Sequence, residues 1–185
     1  MTSSQLTKYY KQNDHGEIVL LDKYAKLTRP LNEQEIDFPI QNTSYEFIPI
    51  HEGIRYYEVG GFMRNNYLYK VIIYNWYGIS DTPLLNIQLN SYDEQGKLLD
   101  AVLLDSQYSY EDVSCFIRFS VNKDLTINLK HYVTYYYDDE HEYGDEAGLI
   151  KDPKPEFYNG EQYKINNGKF KLIYSKMAKK FEWQQ

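Results

Sequence analysis

The chain has 185 residues, of which 42% are hydrophobic and 25% charged, so it is long enough for one domain with its own core and too apolar to be disordered. Its formal net charge of −7 disfavours binding to a phosphate backbone, and its single cysteine, Cys115, excludes an internal disulfide. Tyrosine occurs 21 times and favours β structure, because its ring packs on a pleated surface while its hydroxyl stays hydrated.

The N-terminal segment, residues 1–35, carries the least decided pattern of the chain. Within it, "EIVLLDKYAKL" (residues 17–27) is consistent with a strand or with a short amphipathic helix. Pro39 and Pro49 are expected in extended, edge or connecting positions. After them, "IRYYEVGGF" predicts a strand with a bulge or turn at Gly60–Gly61, and "YLYKVIIYNWYGI" predicts a long strand.

Three β-hairpins follow. In "NIQLNSYDEQGKLLDAVLLD" (residues 86–105) the first strand alternates in polarity, "DEQG" supplies a turn, and the returning strand is apolar on both faces. The alternation predicts that three polar side chains of the first strand face water: Asn86, Gln88 and Asn90. The second hairpin covers residues 115–133, and the third, residues 161–176, contains Asn167–Gly168, which matches a type I′ turn.

These elements predict a mainly β protein with a possible short N-terminal helix. We expect an antiparallel, hairpin-built sandwich or a strongly curled sheet of about eight strands, forming a single domain over residues 1–185. Two segments are expected outside the strands: an acidic loop over residues 138–160 and a loose tail over residues 176–185.

The acidic stretch "DDEHEYGDE" does not fit the pattern of an EF-hand loop. Counted from Asp138, Gly144 falls one place too late and the twelfth residue is Leu149, which cannot chelate. His131 is expected to be a hydrogen-bonded structural residue on an inward face, and Cys115 a small buried hydrophobe. No catalytic or cofactor-binding motif is present, so the sequence predicts a protein that is not an enzyme and uses neither cofactor nor metal. A hydrolase with dispersed carboxylates stays open as an alternative.

From "YYEVGGF" onward the elements resemble, as a set, a widespread group of small bacterial proteins. The shared pattern is a Y-D-x-x-G hairpin, here "LNSYDEQGKLLDAVLL", followed by a terminal G-K-F hairpin, here "YKINNGKFKLI". Many members of that group are lipoproteins, and some look like immunity proteins carried beside polymorphic or type VI secretion toxins. The resemblance covers roughly the last two-thirds of the chain and implies no catalytic residues. Because "MTSSQLTKYYKQNDHGE" has no apolar export segment, we expect a cytoplasmic protein with no membrane partner.

The resemblance implies an immunity protein that binds a cognate toxin domain and occludes its active site. The acidic composition predicts a toxin with a basic surface, no nucleic-acid partner, and a monomer or homodimer. The residues expected to supply charge are Asp138, Asp139, Glu140, Glu142, Asp145 and Glu146. The residues expected to supply aromatic contacts are Tyr135, Tyr136, Tyr137 and Tyr143. Two alternatives are a loop that only keeps the protein soluble and a small-molecule or carbohydrate-binding β module that uses a tyrosine face.

Overall fold

The structure is a computed structural model that describes residues 1–43, 53–138, 140–141 and 144–179. It is mainly β and antiparallel, as the sequence predicts. Nine strands form one sheet in which each strand lies beside its neighbours in the sequence, and two short strands form a separate pair. This meander follows from the hairpin turns, because antiparallel neighbours need only short connections. Pro49, expected to be extended, lies outside the described residues.

Eleven strands and one short α-helix are formed by the described residues. They are β1 (Tyr10–Gln12), β2 (Ile18–Leu20), α1 (Asp22–Ala25), β3 (Arg29–Pro30), β4 (Arg55–Arg64), β5 (Tyr67–Tyr77), β6 (Pro83–Tyr92), β7 (Leu98–Tyr110), β8 (Val113–Val121), β9 (Thr126–Tyr135), β10 (Glu156–Asn166) and β11 (Lys169–Met177). Short 3₁₀ helices cover Ser3–Gln5, Thr7–Tyr9, Ile79–Asp81 and Glu146–Gly148. No helix in the described part of the chain has both the length and the apolar character needed to cross a membrane.

The large sheet curls because β7 changes partners along its length. Its first ten residues pair with β6, whereas only its last three, Tyr108 to Tyr110, pair with β8. The sheet therefore divides into one layer of β3–β7 and a second layer of β8–β11. The turn between β10 and β11 returns to the first layer, where the Phe170 N–H donates to Asp100 Oδ2 at 2.8 Å and the Ser91 hydroxyl donates to the Gly168 carbonyl.

The main hydrophobic core lies between these two layers. Both layers contribute to it, with fully buried side chains that include Val71, Ile87, Leu89, Leu104, Phe119, Leu129 and Ile165. The N-terminal segment packs against it through Leu6 and Leu20, and the Val121 N–H donates to the Met1 carbonyl at 2.8 Å. Residues 17–27 form both expected elements in succession, since β2 is followed directly by α1.

The prediction that one face of β6 is exposed to water is wrong. Asn86, Gln88 and Asn90 are each at most 4% exposed. They lie under a second, smaller core cluster that includes Ile54 and Tyr56 and is covered by the segment around Leu31 and Ile40. Sequence alternation shows which residues share a face, but a distant segment decides whether that face meets water.

A chain of hydrogen bonds satisfies most of the polar groups buried on this second face. The Tyr74 hydroxyl donates to Gln88 at 2.7 Å, Gln88 donates to Asn90 at 2.6 Å, and the Asn90 amide donates to the Tyr92 hydroxyl at 3.1 Å. Tyr92 then donates to the buried carboxylate of Glu35 at 2.7 Å. Such a network fixes the position of the covering segment, because a buried polar group without a partner is costly.

Turn chemistry was predicted correctly, whereas two segment boundaries shift. A register shift at Glu58/Gly60 confirms the bulge, and Asn167–Gly168 have the two positive φ angles of a type I′ turn. The acidic loop is shorter than residues 138–160 because β10 begins at Glu156. The tail begins later than residue 176 because β11 extends to Met177. Residues 180–185 lie outside the described part of the chain.

Candidate functional site

The acidic loop is joined to the turn between β7 and β8. The last pair of the β8–β9 ladder is Val113 with Tyr135, so the residues beyond each strand emerge side by side. The Tyr136 N–H donates to the Asp112 carbonyl at 2.8 Å, and the Ile150 N–H donates to the Tyr136 carbonyl at 2.9 Å. Two segments more than 20 residues apart thus form one surface at this end of the second layer.

The described residues of the loop are held together by side-chain hydrogen bonds. Asp138 Oδ1 accepts from the backbone N–H groups of Glu140 and His141, both at 3.1 Å, and lies 2.8 Å from His141 Nδ1. This contact lowers the pKa of Asp138 and raises the pKa of His141. The Asp138 N–H donates to the Gly148 carbonyl at 2.9 Å, and a Cβ at position 148 would lie 2.5 Å from the His141 Cβ. Close packing therefore requires glycine at position 148.

The resulting surface, here called the acidic end, combines carboxylates with exposed apolar side chains. Its carboxylates are Glu111, Asp112, Asp138, Glu140, Asp145 and Glu146. No Lys or Arg occurs among the described residues of 110–112 and 136–150. Three large apolar side chains lie among the acids, with exposed fractions of 39% for Tyr110, 54% for Leu149 and 36% for Ile150. Apolar groups inside a charged rim are the usual composition of a protein-binding surface.

Four of the six acids predicted to supply charge meet at the acidic end: Asp138, Glu140, Asp145 and Glu146. Asp139, Glu142 and Tyr143 lie outside the described residues. The other three predicted aromatics, Tyr135, Tyr136 and Tyr137, are half-buried at the base of the loop. The Tyr136 hydroxyl lies 3.0 Å from the Ser114 Oγ, and Tyr137 bridges to Leu149, so these two residues help to hold the loop.

Sequence reasoning missed the contribution of the β7–β8 turn. Glu111, Asp112 and Tyr110 precede the acidic loop by about 25 residues and belong to no acidic run. A signal was nevertheless present, because pairing the second predicted hairpin brings the start of β8 beside the end of β9. The turn before β8 must then lie next to the loop that follows β9.

His131 and Cys115 line a small pocket of about 260 Å³, which Tyr108, Tyr158 and Glu161 also line. His131 is buried and inward-facing, as predicted, but the expected hydrogen bond does not form at its Nε2 atom. Its Nε2 lies 3.8 Å from Glu161 Oε2, beyond hydrogen-bond reach, and has no hydrogen-bond partner in the described structure. Cys115 is half-buried rather than buried. The described residues contain no group of three His, Cys, Asp or Glu side chains that could hold a metal.

Comparisons of the chain with protein-family models, with curated proteins and with solved structures gave no match. No residue's role can therefore be taken from a relative. The acidic end is identified as the candidate site from its own geometry and charge.

Proposed function

We propose that the protein is an immunity protein, one that binds a cognate bacterial toxin of the polymorphic or type VI secretion class and covers the toxin's active site, without turnover of its own. The main support is the acidic end, where exposed Leu149 and Ile150 lie among six carboxylates. Aliphatic and aromatic side chains desolvated at the centre of a contact supply most of the energy of a protein interface. Charges around that centre determine which partner approaches.

Charge favours a basic partner. A patch of one sign raises the local concentration of oppositely charged partners and accelerates association, and salt weakens the effect. Toxins that act on nucleic acid or other phosphate-bearing substrates need basic active-site rims. A surface without Lys or Arg among its described residues complements such a rim.

The acidic end is also organised before any partner binds. Side-chain oxygens of Asp138 and Asp145 accept backbone N–H groups within the loop, at 3.1 Å from Glu140 N and 2.9 Å from Ala147 N. Ordering a flexible loop during association would cost conformational entropy and weaken the complex. The hydrogen bonds of Asp138 and Asp145 reduce that cost for the described part of the loop, so the charges there can be presented in a fixed arrangement.

The first test is co-expression with the product of the neighbouring toxin gene. Cells should survive when this protein is present and die when it is absent. Equal growth in the two cases would reject toxin neutralisation, whichever surface makes the contact.

The second test locates the contact by measuring association rates with the purified toxin domain. Replacing Glu111, Glu140 and Glu146 by Gln removes three exposed charges and spares Asp138, which holds the loop. We expect association about three- to tenfold slower at low salt, and a flatter salt dependence. The matched control removes three exposed charges elsewhere, in the variant Asp14→Asn/Glu33→Gln/Glu94→Gln. Equal rates for the two triple variants would exclude the acidic end as the contact surface.

A further inference from the structure

The second layer carries an unusual outer face. Alternation along β8–β10 turns one set of residues toward the core and leaves the other set facing outward, whereas in β11 only Phe170 reaches the core. The outward set includes five cations: Arg118, Lys130, Lys164, Lys171 and Lys176. Among the described strand residues no Asp or Glu occupies an outward register position, although Glu161, which pairs with Leu129 on the inward side, also borders the groove described below. In a chain of net charge −7 this outer surface, here called the basic face, is strongly segregated in charge.

Strand register arranges the basic face into three neighbouring rows that cross the strands. The aromatic row contains Phe116, Tyr132 and Phe157. The basic row contains Arg118, Lys130, Gly160 and Lys176. The amide row contains Ser120, Asn128, Gln162 and Tyr174. A register shift in β11, after Leu172, brings Tyr174 opposite Gln162 and so completes the third row.

A groove of about 860 Å³ lies over the glycine of the basic row. Phe157 and Tyr174 border it and are 40% and 53% exposed. A Cβ at Gly160 would lie 3.2 Å from a ring carbon of Phe157, so any other residue would fill part of this space. The groove has the volume of a typical site for a small ligand.

The amide row is suited to a ligand rich in hydroxyl groups. Gln162 Nε2 donates to Asn128 Oδ1 at 2.7 Å, and Asn128 Nδ2 donates to Ser120 Oγ at 3.2 Å. This chain leaves the Gln162 carbonyl oxygen as an acceptor and the Ser120 hydroxyl as a donor. A few fixed polar groups beside exposed aromatic rings are characteristic of sites that orient a small polar ligand.

Two of the three rings of the aromatic row are poorly placed for stacking with nucleic-acid bases. Phe116 and Tyr132 stack on each other, with centroids 5.3 Å apart and planes 9° apart. The Arg118 guanidinium lies 4.9 Å from the Tyr132 centroid. These contacts occupy ring faces that a single-stranded nucleic acid would need for its bases.

We propose that the basic face binds an acidic oligosaccharide. Its carboxylates would pair with Lys130, Lys176 and Arg118, and its sugar rings would lie against Phe157 and Tyr174. Its hydroxyls would hydrogen-bond to the amide row. The groove would complement such a ligand in charge, because Lys130 and Lys176 border it and could face the carboxylates. The uncharged amide row could face the hydroxyl groups. This site is separate from the acidic end and does not depend on toxin binding.

The test is a calorimetric titration of the full chain with tetragalacturonate, an oligosaccharide with one carboxylate per sugar, at low and at moderate salt. We expect binding that weakens with salt. The variant Lys130→Gln/Lys176→Gln should bind about tenfold or more weakly, because two charge-assisted contacts are lost. The control Lys11→Gln/Lys97→Gln removes two exposed lysines elsewhere and should change the affinity less than about twofold. Gly160→Ala should weaken binding without any change of charge, while circular dichroism shows the fold retained.

Three results would overturn the proposal. One is the absence of binding at millimolar tetragalacturonate. Another is a lack of specificity, seen either as equal affinity for maltotetraose, a neutral sugar of the same length, or as equal loss of tetragalacturonate affinity in the two double-lysine variants. The third is tighter binding of a single-stranded tetranucleotide or of tetraglutamate, which would assign the face to nucleic acid or to an acidic peptide instead.

Discussion

Asp105 links the curl of the sheet to a measurable pH dependence of stability. Its carboxyl is buried where β7 leaves β8, and Oδ1 accepts the Ile117 N–H at 2.7 Å. In a continuous ladder a backbone carbonyl of β7 would accept that N–H, but the pairing of β7 with β8 ends at Tyr108 and Cys115. The side chain thus replaces a backbone acceptor at the point where the two layers separate.

Burial raises the pKa of Asp105 from its ordinary 3.8 to about 7, against the opposing effect of hydrogen bonds from Ile117 and Gln107. The folded protein therefore holds a proton that the unfolded chain releases between about pH 4 and pH 7. The free energy of unfolding must fall as pH rises through this window and level off above it. For these two pKa values the fall is roughly 4 kcal/mol in total, and more than half of it lies between pH 5 and pH 8.

The perturbation is Asp105→Asn, which keeps an oxygen for the Ile117 N–H and cannot ionise. The Gln107 amide can present either its nitrogen or its oxygen, so it can bond to either residue. Urea unfolding at pH 5, 6, 7 and 8 measures both proteins. The variant should gain roughly 2–3 kcal/mol on the wild type between pH 5 and pH 8, and Asp14→Asn, at an exposed turn, should gain nothing. If the wild type and Asp105→Asn change in parallel with pH, the carboxyl is not held neutral by burial and the reasoning fails.

Two further outcomes follow from buried or local contacts of single carboxylates. Glu35→Ala leaves the buried Tyr92 hydroxyl and a backbone N–H without an acceptor, so the free energy of unfolding should fall by about 3 kcal/mol and Tm by roughly 6–12 °C. Glu33→Ala, at an exposed neighbouring position, should leave Tm nearly unchanged, and equal Tm values for the two variants would contradict the buried network. Asp138→Asn should bring the raised pKa of His141 back toward 6.5 in an NMR titration, because the contact with the carboxylate raises it. In the wild type, the attraction between the two side chains is present below pH 6.5 and is lost as pH rises through the folded pKa of His141. An unchanged His141 pKa in the variant would show that the contact does not form in solution.

Local patterns made most of the fold predictable, whereas burial depended on distant segments. Each hairpin could be identified because its two strands and its turn, such as Asn167–Gly168, lie within about 20 residues. Asn90 was misassigned because the cover over its face comes from residues around Leu31, some 60 positions earlier. The partner change of β7 could not be predicted from the sequence either. The burial of Asp105 depends on where β8 stops pairing with β7, and no local pattern marks that position.

The candidate sites show the same division. The carboxylates of the loop were evident from composition, whereas Glu111 joins them only through the pairing of β8 with β9. The rows of the basic face depend on register shifts in β10 and β11, at Phe157/Asn159 and after Leu172. No residue type in the sequence predicts these register shifts. Without them, Phe157 and Tyr174 would not lie on the basic face.

Both proposed surfaces belong to the second layer, and the fold explains why. The first layer is covered on one side by the second layer and on the other by the segment that carries Leu31, Glu35 and Ile40, so few of its strand faces meet water. Strands β8–β10 have their inner face on the core, whereas their outer face meets water at residues such as Arg118 and Lys130. Its end near Tyr135 carries the acids and its outer face carries the cations, so charges of opposite sign occupy separate surfaces rather than neutralising one another. A chain that served only as a soluble scaffold would gain nothing from this separation, because mixed charges keep a surface hydrated equally well. This separation is consistent with the two partners proposed above, a basic toxin at the acidic end and an acidic oligosaccharide on the basic face.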